Sequence, residues 1–116
     1  MSIAYMSLDE VNQDLALEIA DRCGENLATL ASPAEAPPAY CDAIIYDLDH
    51  LCATDRQQVL DQLTYRPAKH LAAVHSYHLP PRQVRSLRRN GVIVERRLHG
   101  DWLARVIGSS TDHVVA

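Results

Sequence analysis

The sequence predicts a doubly wound α/β domain, a five-stranded parallel sheet with helices on both faces. Short apolar runs of strand length alternate with longer segments whose apolar residues recur at helical spacing. Proline and glycine punctuate the junctions, and 116 residues suffice for one hydrophobic core but not two. Hydrophobic residues at 47% and charged residues at 22% are the balance of a globular chain rather than a disordered one. The expected domain spans 1–108, with 109–116 as a flexible C-terminal tail.

Residues 2–7 (SIAYMS) form a mostly apolar run without helical periodicity, as in a strand covered on both faces. From 10 to 23, Val11, Leu15 and Ile19, with Ala16 and Ala20 beside them, recur at helical spacing, between Asp9 as N-cap and Gly24 at the far end. Residues 26–31 read as a second strand. Pro33, Pro37 and Pro38 then break regular structure, leaving a short helix or a loop across 32–39. The run Ala43, Ile44, Ile45, Tyr46 stops abruptly at Asp47, Asp49 and His50, the pattern of a central strand emerging into a polar loop. Val59, Leu60 and Leu63 share one face of a helix over 54–63, whose end Pro67 fixes. Residues 70–77 supply a fourth strand. Pro80 and Pro81 open a helix through Val84 and Leu87, and Asn90-Gly91 closes it. A fifth strand over 92–98 precedes a last helix over 101–107, where Trp102 is expected to pack inward.

Five βα repeats with right-handed crossovers give a parallel sheet sandwiched by helices. Ligand crevices in such sheets lie at the carboxyl ends of the strands. That rule directs attention to 7–9, 47–50, 75–78 and 96–99.

The formal charge of -4 conceals an asymmetry. Twelve of the fifteen acids fall within 1–61, where Arg22 and Arg56 are the only basic residues besides histidine, and nine Lys/Arg fall in the remainder. Opposite potentials on the two halves suit a charged partner. Arg82, Arg85, Arg88 and Arg89 recur along one helix with Arg96 close by, and arginine is favoured at interfaces because its fork binds carboxylates. A merely solvated helix face would also carry such residues. Cys23, Cys41 and Cys52 are an odd number without a CxxC pair, and are expected to be reduced and half-buried. No stretch approaches the roughly 18 apolar residues of a membrane span, and the N-terminus lacks a secretory pattern. A cytoplasmic location, without membrane association, is expected.

At the strand ends the chain resembles the receiver domain of bacterial response regulators across nearly its whole length. The resemblance implies the flavodoxin-like strand order 2-1-3-4-5. It makes Asp47, in the Asp47-Leu48-Asp49-His50-Leu51 run, the equivalent of the phospho-acceptor. His75 or Ser76 falls at the Thr/Ser switch position and Arg97 at the lysine position. Where receivers carry two adjacent acids before the first helix, this sequence has Ser7 and Leu8. Receiver phosphorylation is metal-assisted, and Mg²⁺ needs oxygen ligands that leucine does not supply. The resemblance puts Asp9 at the family's third acidic position, as a single displaced carboxylate to reach a metal. Arg97 keeps a cation, with a bulkier planar fork than an ammonium, and is placed to pair permanently with Asp47.

The expectation is therefore a degenerate form, a pseudo-receiver, that binds a protein partner or a second copy without phosphorylation and without a cofactor. The expected surface is the face of the Pro81 helix, the fifth strand and the last helix, through Arg82, Arg85, Arg88, Arg89 and Arg96, with the acidic first helix of a second copy among the fitting occupants. The alternative is a working phospho-acceptor, with Asp47 modified, Mg²⁺ bound with help from Asp9, Ser76 reading the phosphoryl group and Arg97 as its cation. Other chemistries find less support. His50, Asp49, His75 and His78 invite a metal site, but strand alternation turns positions 75 and 78 to opposite faces. Ser76 has no G-x-S-x-G elbow to expose it, and no glycine-rich phosphate loop is present, so an enzyme is not expected. Nucleic acid is disfavoured by the pI near 5.8 and by the lack of aromatics on the arginine helix.

Overall fold

The structure, a computed structural model, describes residues 2–65, 71–96, 98, 101 and 106. The described elements run β1 (Ser2–Met6), α1 (Glu10–Arg22), β2 (Asn26–Leu30), β3 (Ala43–Asp47), α2 (Ala53–Tyr65), β4 (Leu71–His75), α3 (Pro81–Arg89) and β5 (Ile93–Glu95). All four strand pairings are parallel, and the sheet order is β2-β1-β3-β4-β5. This is the flavodoxin-like order expected above. Its centre is β1, β3 and β4, whose apolar runs are covered on both faces.

Strand alternation sends successive residues into two separate cores. Ile3, Tyr5, Ala43, Ile45 and Ala73 pack with Ala16 and Ile19 of α1 and with Leu98 and Val106. Ala4, Met6, Ile44, Ala72 and Val74 pack on the other side with Val59, Leu60 and Leu63 of α2 and Leu87 of α3. The helix ends follow from local chemistry. Asp9 caps α1 by accepting from the Asn12 N–H at 3.1 Å. Both α1 and α3 end in paired backbone bonds closed by a left-handed glycine: Gly24 with φ 71° after α1 and Gly91 with φ 82° after α3.

Several expectations are corrected. The apolar stripe of the first helix is out of phase: Ala16, Ile19 and Ala20 are buried, whereas Val11 and Leu15 stay exposed, because the small alanines let the helix lie close on the sheet. The segment 32–39 holds turns and no helix. β4 and β5 are shorter than 70–77 and 92–98, since each stops where its neighbour's ladder ends. Cys41 is buried, but Cys23 and Cys52 are exposed, one at the end of α1 and one just before α2. Backbone at Asp101 and Val106 is helical. Pro67, Arg97, Trp102 and the tail 109–116 lie outside the described residues.

Candidate functional site at the carboxyl ends of the strands

Asp47 is the last residue of β3 and is only 1% exposed. It shares the α1-facing side of the sheet with Ala43 and Ile45, by period-two alternation. The same alternation along β1 from Ile3 and Tyr5 delivers Ser7 to that side. The Ser7 hydroxyl donates to Asp47 Oδ2 at 2.7 Å, and the Asn12 side-chain amide donates to the same oxygen at 3.0 Å. Ser7 is itself fully buried, and its Oγ accepts from the Asp9 N–H at 3.0 Å. The Gln13 side chain donates to the Ser7 carbonyl. The β1–α1 turn is thus stitched onto the end of β3 by uncharged donors.

Among the described residues, Asp47 Oδ1 has no hydrogen-bond partner. His75, paired with Asp47 in the β3–β4 register, places Nδ1 3.8 Å from Oδ1. His75 Nε2 lies 2.8 Å from the Tyr5 hydroxyl, and the two rings stack with centroids 5.7 Å apart. Burial first, and then the Asp47 carboxylate, push the Tyr5 hydroxyl far above its ordinary range, so Tyr5 keeps its proton, and the direction of its bond to Nε2 follows the tautomer of the imidazole. Burial lowers the His75 pKa against the pull of Asp47. A neutral ring that accepts at Nε2 carries its hydrogen on Nδ1, the nitrogen turned toward Asp47 Oδ1. At the mouth, the half-exposed His50 places Nε2 3.8 Å from both Asp47 Oδ2 and Asp9 Oδ2.

Ser76 falls elsewhere. One residue beyond His75, it turns to the opposite side and donates to Asp49 Oδ1, while Asp49 Oδ2 accepts from the Tyr77 N–H at 2.8 Å. Ser76 is therefore tied to Asp49 and makes no bond to Asp47. His75 is buried and His78 is exposed.

The donor set does not fit an octahedral Mg²⁺. Leu8 projects outward at 48% exposure, the Ser7 hydroxyl is committed to Asp47, and Asp9 Oδ2 is committed to the Asn12 backbone. Among the described residues no three His, Cys, Asp or Glu side chains are grouped to hold a metal.

The arginines divide. All five are exposed, but only Arg85, Arg88 and Arg96 line a groove of about 520 Å³ between α3 and β5. Leu79, Val84 and Val94 give the groove an apolar floor, and Tyr77 and Glu95 also line it. Arg88 donates to the Val94 carbonyl at 3.1 Å and so ties α3 to β5. Arg82 and Arg89 do not line the groove, because on a helix they lie toward its outer side from Arg85 and Arg88.

Sequence reasoning missed Tyr5 and Asn12. Tyr5 was legible as a polar-tipped ring in a buried strand, on the same alternation as Ser7. Asn12 stands three residues beyond the N-cap, where a side chain on the first turn reaches back over the strand ends.

Comparison with solved structures gives the fold its context. A two-component response regulator from Clostridium difficile superposes with a TM-score of 0.78 at 11% identity, covering 100% of this chain and 99% of that one. A response regulator receiver protein from Pseudoalteromonas atlantica gives 0.76 at 10% identity, over 98% and 99%. The beryllofluoride-activated NtrC4 receiver domain gives 0.74 at 11% identity, over 97% of each chain. The fold is that of receiver domains. No family model matches the sequence, and no curated protein matches it. Among the described residues, no helix is long and apolar enough to cross a membrane.

Proposed function

We propose that the chain is a pseudo-receiver, a receiver-like signalling module of the cytoplasm that binds a protein partner without phosphorylation and catalyses no reaction. The observation that carries this reading is the sealed Asp47. A phospho-acceptor must present an oxygen to an incoming phosphoryl group with a metal beside it. Here the equivalent carboxylate is buried, its Oδ2 takes two hydrogen bonds from uncharged side chains, and the residues of the β1–α1 turn are a poor metal shell. The arginine-lined groove between α3 and β5 supplies the recognition surface, suited to a partner presenting carboxylates around an apolar centre.

A second reading rests on Asp47 Oδ1, which has no hydrogen-bond partner among the described residues and sits at the strand end where receivers are phosphorylated. Beryllofluoride, an acyl-phosphate mimic, separates the two. Amide spectra of wild type and Asp47→Asn are compared during titration with Mg²⁺ and beryllofluoride. The pseudo-receiver reading expects no saturable change that depends on Asp47. A saturable, Asp47-dependent shift spreading to β4 and β5 would replace it with the phospho-acceptor reading.

A further inference from the structure

The out-of-phase helix leaves an apolar surface uncovered. Leu8 is 48% exposed, Val11 73% and Leu15 37%, and on α1 the last two lie one turn apart. Asp14 and Glu18 flank them on the outward side, and Glu10 and Asp21 widen the acidic margin. Glu18 is engaged by Arg22 of the same helix, which leaves Glu10, Asp14 and Asp21 as acids whose pairing lies outside that contact. The α3–β5 groove has the complementary design: an apolar floor of Leu79, Val84 and Val94 rimmed by Arg85, Arg88 and Arg96. One surface is apolar with an acidic rim and the other is apolar with a basic rim, both on the same chain.

Resting on the reading of the groove as a protein-binding surface, we infer that its occupant is the Leu8–Val11–Leu15 face of α1 from a second copy, and that the chain self-associates head to tail. The placement of the two surfaces favours one mode. α1 packs in the core on one side of the sheet and α3 in the core on the other. With α1 and α3 on opposite sides of the sheet, a head-to-tail contact is favoured over a reciprocal one. Each contact leaves a free α1 face at one end and a free groove at the other, so association is heterologous and continues beyond the dimer. Charge complementarity sets the register, and the apolar centre supplies the burial.

The test is sedimentation of the full chain from micromolar to near-millimolar concentration. Wild type is expected to grow past dimer mass, with about a tenfold or greater loss of association between about 0.05 M and about 0.5 M salt. Two neutralised variants carry the decisive comparison. Val11→Ser with Asp14→Asn removes the α1 face, and Arg85→Gln with Arg96→Gln removes the groove; all four side chains are exposed, so folding should survive, as circular dichroism will show. Each variant alone is expected to be monomeric. Mixed in equal amounts, they should form a complex that stops at two chains, because only one intact α1 face and one intact groove remain. A wild type that stays monomeric at low salt overturns the inference, as does a wild type that stops at a dimer or a mixture that stays monomeric. None of these failures alters the beryllofluoride result, which judges Asp47 by itself.

Discussion

Replacing Ser7 with alanine removes the 2.7 Å bond that holds Asp47 Oδ2 and also the acceptor of the Asp9 N–H. A hydrogen bond to a charged group contributes roughly 1.5–3 kcal/mol, against about 1 kcal/mol for a neutral one. The Asn12 amide remains on the same oxygen, so the loss is partial and Ser7→Ala should destabilise by about 2 kcal/mol at neutral pH. For a domain of this size that corresponds to a melting temperature lower by about 10 °C. In an Asp47→Asn background the same substitution breaks only a neutral bond and should cost about 1 kcal/mol, a coupling of about 1 kcal/mol. Urea unfolding of wild type, both single variants and the double variant measures all of this in one cycle. A cost below about 0.5 kcal/mol, or an equal cost in both backgrounds, would refute the claim that Ser7 holds the Asp47 carboxylate.

Further outcomes follow from the same contacts. The folded state lowers the His75 pKa, so the unfolded chain takes up more protons once the pH falls below its own value of about 6.5. The contribution of His75 is complete above that value and is lost as the pH falls toward the depressed folded value; His75→Gln should remove up to about 1.4 kcal/mol per pH unit of that slope, read from urea midpoints across the acidic range. Tyr5→Phe deletes the hydroxyl 2.8 Å from His75 Nε2 and should destabilise by about 1–2 kcal/mol, with the pH slope changed as well. Leu48→Ala opens a void beneath α2, where Leu48 is fully buried, and should cost about 3 kcal/mol by chemical unfolding. Gly91→Ala meets no atom within 4 Å but forces an alanine to φ 82°, so a loss of about 1–2 kcal/mol without change in the fold is expected by thermal melts and circular dichroism.

Much of the fold was legible because it is written in short windows. Ile44, Ile45 and their neighbours read as a buried strand since a parallel strand covered on both faces needs a continuous apolar run. Gly24 and Gly91 marked helix ends because only a residue without a β-carbon takes the left-handed turn cheaply. The first helix shows the limit of that reading. Val11 and Leu15 have the spacing of a core stripe, yet Ala16, Ile19 and Ala20 face the sheet. A helix carrying more than one apolar arc is set in rotation by its neighbours. The arginines show it again: five basic residues suggested one surface, and the structure places three in the groove and leaves two outside it.

By itself the sequence determined the order of strands and helices, their approximate limits and the arrival of Asp47 at the end of a central strand, since periodicity and turn chemistry act over a few residues. Only the tertiary structure decided that Asp47 is sealed under Ser7 and Asn12, faces His75 and is bypassed by Ser76. Those relations join residues up to 40 positions apart, fixed by the register between parallel strands. In a parallel sheet a shift of one residue carries a side chain from one core to the other, so accessibility is a property of the packed sheet rather than of any segment within it.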